Sequence, residues 1–312
     1  MRLLERAALD GHTAVRTDVV LAALDQGSVD DALSAGRVVD AGGLLALEGL
    51  ASAEEGVAVE LQGLAAEGRV AVVLGDVPDS AEAFVVDRVD RRPLDELAGL
   101  LQSVPGDVPV LLAGDPDRLP GPHPGAVLRD LLAWGEVQVR DLRPATTGPG
   151  TLGRLAAAVR AGQLPPADPA DRSLVVVPCA DDATVLRRAR QLVSDSIPGS
   201  FGVAAADIAV LAPLHRGDAG TRALAEALDG TGASVFGLHE AAWAAQRWAA
   251  IVGCFGAETA GVVSRAMVYE LALLATTHLS VVTAVGPALP QAVATAVTPQ
   301  RVTLLAGMLA EA

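Results

Sequence analysis

The stretch LLAGDPDRLPGPHPGAVLRDLL, residues 111–132, places an acidic turn between an apolar run and a segment with helical periodicity. Gly114 and Asp115 end the apolar run, and Arg118 follows in a proline-containing loop. A carboxylate at a strand end can hold a divalent cation, and an arginine near it can bind a phosphate oxygen. The pattern therefore predicts either a phosphate-sensing site or a purely structural turn that ends the strand.

Composition limits the chemistry that such a site could perform. The 312-residue chain has a formal net charge of −15, and all 23 of its basic residues are arginine. Schiff-base chemistry and the phosphate-binding lysine of a P-loop are therefore excluded. Because phosphate contacts dominate affinity for nucleic acid, DNA binding by so acidic a chain would need a local arginine-lined surface.

The cysteine and hydropathy patterns predict a cytoplasmic protein without a membrane partner. Cys179 and Cys254 lie far apart within apolar runs, which favours free buried thiols in a reducing compartment. No convincing apolar segment reaches the length of about 18 residues that a membrane-spanning helix needs. The histidines are too dispersed for us to predict a metal site.

The elements that must position these residues alternate between strand-like and helix-like patterns. Helical periodicity dominates residues 1–66, where Thr17 is a predicted N-cap and Gly42-Gly43 joins two short strands of a wing. Short apolar runs typical of buried parallel strands follow. We predict strands at residues 69–74, 83–87, 108–114, 137–142, 174–178, 207–213, 249–255 and 278–285.

Two proline- and glycine-rich segments, residues 143–150 and 162–173, interrupt the alternation and indicate a domain boundary. The sequence therefore predicts an α/β protein with three domains. These are a helical amino-terminal module (1–66), a first lobe (67–165) and a second lobe (166–312).

In this order the segments resemble the RecD-like DNA helicases of helicase superfamily 1, the RecD/TraA type. VVDRVDRRPLDELAGLLQSVP (85–105) is similar to that family's Walker B segment, and GDPDRLP (114–120) to its Gly-Asp-Pro-x-Gln-Leu-Pro motif. DIAVLAPLHRGDAGTRALAEAL (207–228) resembles the opening of its second lobe. The resemblance implies two RecA-like, P-loop NTPase-type lobes with parallel sheets, the first truncated, behind a small helical or winged-helix-like module.

Compared with that family, the groups that hydrolyse ATP are missing. GDVPDS (75–80) is the only P-loop candidate, with no second glycine, and the eight residues 75–82 leave no room for a crossover helix. Arg88 replaces the water-orienting glutamate beside Asp87, Arg118 replaces the phosphate-sensing glutamine, and Leu274 stands at the arginine-finger position. The resemblance thus implies no catalytic residue and a relic nucleotide site at Gly75, Asp87, Arg88, Gly114, Asp115, Arg118 and Leu274.

The candidate DNA-facing residues also come from the resemblance. GLHEAAWAAQRW (237–248) is similar to the segment that couples nucleotide state to DNA in the family, which indicates His239, Arg247 and Trp248. The arginines at 91–92, 187–188 and 190 either line a DNA groove or form solvated helix faces. The tryptophans either stack on bases or pack against the protein.

We therefore expect a non-catalytic RecD-like homologue that acts as a DNA-binding or protein-interaction and regulatory module. Its candidate partners are single-stranded DNA and a partner protein, and no cofactor is expected. Three alternatives stay open: an ATP-dependent DNA helicase that uses ATP and Mg²⁺, a structural scaffold without a nucleic-acid role, and a product under no functional selection. In the relic interpretation, Asp115→Ala and Arg118→Ala should change stability only modestly.

Overall fold

The computed structural model describes residues 1–77, 81–145, 150–166, 171–244, 246–295 and 300–311. The chain forms two compact units. The first comprises Met1–Pro116, Pro120–Arg143 and Pro299–Ala312, and the second comprises Asp117–Leu119 and Pro144–Thr298. Each unit contains a parallel sheet with packed helices, so the predicted α/β class is confirmed. The subdivision of the first unit near residue 66 stays a prediction.

The first unit begins with helices around a small antiparallel sheet in the strand order β1-β3-β2. Thr17 is the first helical residue of α2 rather than its cap. The cap position is occupied by Arg16, which makes no side-chain hydrogen bond to the helix. Asp25 does cap α3, since its carboxylate accepts from the Ser28 N–H at 2.9 Å. The elements are α1 (Arg2–Leu9), β1 (Ala14–Arg16), α2 (Thr17–Ala23), α3 (Gln26–Ser34), β2 (Val38–Asp40), β3 (Leu44–Leu47) and α4 (Glu48–Ala66).

The parallel sheet of the first unit has the strand order β5-β6-β4-β7. Its central strands are continuous apolar runs because helices α4 and α5 pack on the sheet. Each predicted run of this unit forms a strand. The elements are β4 (Val70–Leu74), β5 (Phe84–Val86), α5 (Leu94–Gln102), β6 (Val110–Gly114), α6 (Val127–Trp134) and β7 (Gln138–Asp141).

The second unit contains a five-stranded parallel sheet in the order β10-β9-β11-β12-β8. Separate apolar clusters pack on the sheet, one containing α7 and α12 and the other containing α8 and α10. The strands are β8 (Leu174–Pro178), β9 (Ile208–Ala212), β10 (Ser234–Gly237), β11 (Trp248–Phe255) and β12 (Ala275–Thr283). The helices are α7 (Thr151–Arg160), α8 (Asp182–Gln191), α9 (Ile197–Phe201), α10 (Thr221–Ala227), α11 (Leu238–Ala244), α12 (Arg265–Leu274) and α13 (Ala288–Ala294).

Side-chain contacts and burial define several local features of the second unit. Ser264 caps α12, where its hydroxyl accepts from the Met267 N–H at 3.4 Å. Cys254 is buried and Cys179 half-buried, and both are free thiols. Helix α8 continues through a π-helical turn, Leu192–Ser196, into α9. None of the helices in the described ranges is long and apolar enough to cross a membrane.

A carboxy-terminal strap, residues 300–311, belongs to the first unit and ends in α14 (Leu305–Ala310). The Arg301 guanidinium donates to the carbonyl oxygens of Gly121, His123 and Gly125 at 2.7–2.9 Å. The Leu304 N–H donates to the carboxylate of Glu54 at 2.9 Å. The strap thus satisfies polar groups of the first unit while its leucines enter the apolar core.

Candidate functional site

The candidate site is the carboxyl edge of the first parallel sheet, where ligands bind in open α/β sheets. Gly75 follows β4, Asp87 follows β5, and Gly114 ends β6, so the structure places these three predicted residues at one edge. The Gly75 N–H donates to the Gly114 carbonyl oxygen at 2.9 Å. The turn after β4 is therefore closed by a hydrogen bond within the protein.

Protein backbone occupies the space beside Gly75. The residue has φ +104°, and a Cβ built on it would lie 3.1 Å from the Arg143 backbone nitrogen and 3.2 Å from the Leu142 carbonyl carbon. A P-loop needs this space free, because its glycines allow backbone N–H groups to approach phosphate oxygens. Residues 142–143 fill it instead. The predicted positions Asp79 and Ser80 of the P-loop candidate lie outside the described residues.

Asp115 is buried and held by an arginine that follows β7. The Arg143 guanidinium lies 3.3 Å from the Asp115 carboxylate and 2.6 Å from that of Asp141. Only 6% of the Asp115 side chain and 12% of that of Arg143 are exposed. The hydrogen bonds that Arg143 donates to Asp141, helped by the charge of Asp115, raise the pKa of Arg143 above its ordinary value despite burial. The charge that could hold Mg²⁺ is therefore already balanced by a protein cation.

We expect Asp115→Ala to lower the free energy of unfolding by about 1–2 kcal/mol, since one hydrogen-bonded charge partner is lost from a buried site. The loss stays modest because Arg143 retains Asp141. Urea unfolding measures the change, and the exposed substitution Asp87→Ala is the control. A loss above about 4 kcal/mol, the range of an uncompensated buried charge, would contradict this account.

Asp87 and Arg88 lie next to one another at the end of β5. Asp87 is exposed, and its carboxylate is 3.3 Å from the Arg88 guanidinium. Arg88 has φ +52°, the only positive φ of a non-glycine residue in the described ranges. Such left-handed backbone is uncommon for arginine and is held by surrounding structure. The segment thus supplies an ion pair where the resemblance implies an aspartate–glutamate pair.

Two further residues lie at this edge: Asp90, which no sequence pattern indicated, and Arg91, which the sequence left open as a groove-lining or a solvated arginine. A Cβ on Gly114 would lie 2.7 Å from the Asp90 carboxylate, so Asp90 covers the end of β6. Arg91 lies 3.8 Å from Asp90 and its side chain is only 6% exposed, which corrects its interpretation as part of a solvated face. No short motif signals either residue, because both lie in a 3₁₀ turn, Val89–Arg91, whose burial depends on the neighbouring strands.

Arg118 belongs to the second unit and forms a buried ion pair there. Its Nε donates to both carboxylate oxygens of Glu270 at 3.1 Å, and its Nη2 makes a further short contact with the same carboxylate. Glu270 lies on α12 with 0% of its side chain exposed, and it also accepts from the Leu119 N–H at 3.4 Å. Arg118, which occupies the predicted phosphate-sensing position, is therefore one partner of an ion pair within the protein.

The remaining predicted residues are divided between core and surface of the second unit. Leu274 is buried at the end of α12, and Trp248 is 7% exposed with its ring 5.7 Å from that of Phe236. Burial corrects the DNA-facing prediction for Trp248, because its indole faces are covered by protein. His239 is half-buried, which lowers the pKa of its imidazole, whereas Arg247 is exposed.

These residues do not fit Mg²⁺–ATP. The chain offers no lysine, the space beside Gly75 is filled, and Asp115 is paired with Arg143. Among the residues that the structure describes, no group of three or more histidine, cysteine, aspartate or glutamate side chains could hold a metal ion.

Comparison with known proteins gives a partial match. The RecBCD enzyme subunit RecD of Mycolicibacterium smegmatis is 32% identical over 119 residues, which covers 34% of this chain and 20% of that subunit. The sequence match supports a helicase-like relationship. The chain spans about a fifth of the length of this relative. No protein-family model matches the sequence.

Solved helicase structures are also similar. A complex of Arterivirus nonstructural protein 10 (helicase) with DNA is 13% identical, with 82% of this chain and 71% of that chain covered and a TM-score of 0.41. A crystal structure of Arterivirus nonstructural protein 10 (helicase) is 14% identical, with 79% and 69% covered and a TM-score of 0.36. At these scores the structural likeness carries no argument about function.

Proposed function

We propose that this protein is a helicase-like module of RecD type that does not hydrolyse ATP and that binds single-stranded DNA. The observation that carries the first part is Arg143, whose guanidinium balances Asp115 while its backbone fills the space beside Gly75. A phosphate or a magnesium ion would have to displace both the Arg143 guanidinium and the Arg143 backbone. The partial match to a RecD subunit supports the type. The DNA partner is proposed from the resemblance of the sequence segments to the RecD-like DNA helicases.

We expect no ATPase activity above background, with or without single-stranded DNA, because lysine, glutamate and arginine-finger equivalents are all absent from the sequence. An arginine finger alone contributes about 10³–10⁵-fold to the rate in related NTPases. A coupled phosphate-release assay measures the rate. DNA-stimulated hydrolysis that Asp87→Ala abolishes would contradict the proposal and restore the helicase alternative.

DNA binding is tested by the fluorescence anisotropy of labelled single-stranded DNA, titrated with the protein at several salt concentrations. The proposal expects salt-dependent binding whose Kd is the same with and without Mg²⁺–ATP. A Kd that changes on addition of Mg²⁺–ATP, but not on addition of MgCl₂ at equal Mg²⁺ concentration and ionic strength, would mean that a nucleotide site exists. No binding at low salt would overturn the DNA part.

A protein partner is the second candidate, and edge strand β7 favours it. All four residues of β7 are exposed, with 46% exposure at Val139, and Leu142 just beyond the strand is 51% exposed. An exposed edge strand offers unpaired backbone groups to an incoming chain. If a variant of the protein no longer binds DNA but still co-purifies with a partner protein, the protein-partner function is distinct from the DNA-binding function.

A further inference from the structure

The negative charge of the chain is distributed unevenly between its two units. The first carries 12 arginines and 25 acidic residues, a formal charge of −13, whereas the second carries 11 arginines and 13 acidic residues, a charge of −2. A polyanion is therefore repelled strongly by the first unit and weakly by the second. A phosphate-binding surface is expected in the second unit.

Helix α8 of the second unit exposes three arginines, Arg187, Arg188 and Arg190. Each donates a hydrogen bond to a neutral acceptor: Arg187 to the Thr184 hydroxyl at 3.1 Å, Arg188 to the Gln191 amide oxygen at 2.7 Å, and Arg190 to the Ala227 carbonyl oxygen. In the described part of the chain, none of the three lies within ion-pair distance of a carboxylate. Their charges are thus left to solvent or to a ligand.

The nearest acidic residues on the helix are engaged with backbone groups. Asp181 caps α8 by accepting from the Thr184 N–H at 2.7 Å, and Asp182 accepts from the Ala257 N–H at 2.7 Å. The pKa of Asp181 is lowered by its hydrogen bonds to Thr184 and, to a smaller degree, by the charge of Arg187. These carboxylates stabilise the helix start and the adjoining loop instead of pairing with the arginines.

The helix is rigid enough to present the arginines in a fixed arrangement. Val185 and Ala189 on its opposite face are fully buried in the core between α8 and α10. Arg187 and Arg190 are separated by about 4.5 Å along the helix axis, and each guanidinium keeps free N–H donors after its single hydrogen bond. The face can therefore contact more than one phosphate of a flexible strand at once.

We propose that the solvent-exposed side of α8, where Arg187 and Arg190 are neighbours and Arg188 lies about 100° around the helix from Arg187, binds phosphates of single-stranded DNA. This inference rests on the proposed function and names the surface that would carry it. Solvation alone would explain why the three arginines are exposed. It would not explain why they lack carboxylate partners in a chain with a net charge of −15. Phosphate oxygens supply the missing counter-charge through charge-assisted hydrogen bonds.

The test is the triple variant Arg187→Gln/Arg188→Gln/Arg190→Gln in the full chain, with labelled oligothymidine as the probe. We expect its Kd to rise at least about 10-fold at low salt, since three phosphate contacts are lost. The slope of log K against log salt concentration should become shallower by about 2, because each of the three lost single-strand phosphate contacts contributes about 0.7.

Two controls distinguish the site from general charge and from misfolding. Arg2→Gln/Arg6→Gln/Arg37→Gln removes the same charge from exposed positions of the first unit and should leave the Kd within about 3-fold. Arg187→Lys/Arg188→Lys/Arg190→Lys keeps the charges and should retain most of the affinity. If the chain binds DNA and both glutamine variants behave alike, the α8 site is wrong and the proposed function stands. If the unaltered chain does not bind, the DNA function itself fails.

Discussion

Arg118→Ala is expected to lower the free energy of unfolding of the second unit by about 3–5 kcal/mol, the cost of removing one partner from a buried ion pair. Glu270 is fully buried on α12 and would keep its charge without the guanidinium. The relic interpretation of the sequence predicts a modest effect, whereas the buried ion pair predicts a large one. Urea unfolding followed by tryptophan fluorescence measures the loss.

A matched double variant isolates the ion pair from the packing of the Arg118 stem. Arg118→Met/Glu270→Met replaces both charges by apolar side chains, and such replacements are often neutral or stabilising. We therefore expect the double variant to be more stable than Arg118→Ala by about 2 kcal/mol or more. If Arg118→Ala lowers the free energy of unfolding by less than about 1 kcal/mol, Glu270 is not held by Arg118.

Stability of the first unit is expected to fall as pH rises from about 4.5 towards 7, because of Glu54. Burial raises the pKa of this carboxyl to about 7, outweighing its hydrogen bonds to Thr13 and to the strap. The folded state therefore binds the proton more tightly than the unfolded state. Protonation of Glu54 stabilises the folded state fully at pH values below the pKa of this carboxyl in the unfolded chain. That stabilisation is lost as pH rises through the pKa in the folded state, and the loss is on the order of 3 kcal/mol.

Chemical unfolding of the unaltered chain and of Glu54→Gln between pH 4.5 and 8 measures this dependence. The glutamine has no charge to bury and keeps an oxygen for the Leu304 N–H, so its stability should vary much less over this range. The neighbouring Glu55 is exposed, and Glu55→Gln should follow the unaltered chain. A pH profile that Glu54→Gln leaves unchanged would assign the dependence to other groups, Asp130 first, whose pKa burial also raises.

The sheets could be predicted from the sequence because their strands are covered by helices. Val70–Leu74 and Ile208–Ala212 are apolar without interruption, and such runs have few alternatives to a buried parallel strand. Caps were less predictable. Thr17, the predicted cap of α2, is the first residue of that helix instead, because capping depends on the backbone geometry of a single residue.

The candidate site was predicted only in part, because its pairings join residues far apart in the chain. Asp115 and Arg143 are separated by 28 residues, and Arg118 and Glu270 by 152. Local patterns identified Asp115 and Arg118 as charged residues at informative positions but could not supply their partners. The resemblance implied which positions differ from the family's ATPase motifs, and the structure shows which protein groups those positions contact.

The carboxy-terminal strap has a consequence for synthesis on the ribosome. Leu305 and Leu309 are fully buried with Leu61 and Leu131 in the core of the first unit, although the second unit lies between them in sequence. In a nascent chain, residues 144–298 of the second unit therefore emerge before the strap that completes the core of the first unit. Until the strap emerges, the apolar groove that it fills and the carboxylate of Glu54 remain open.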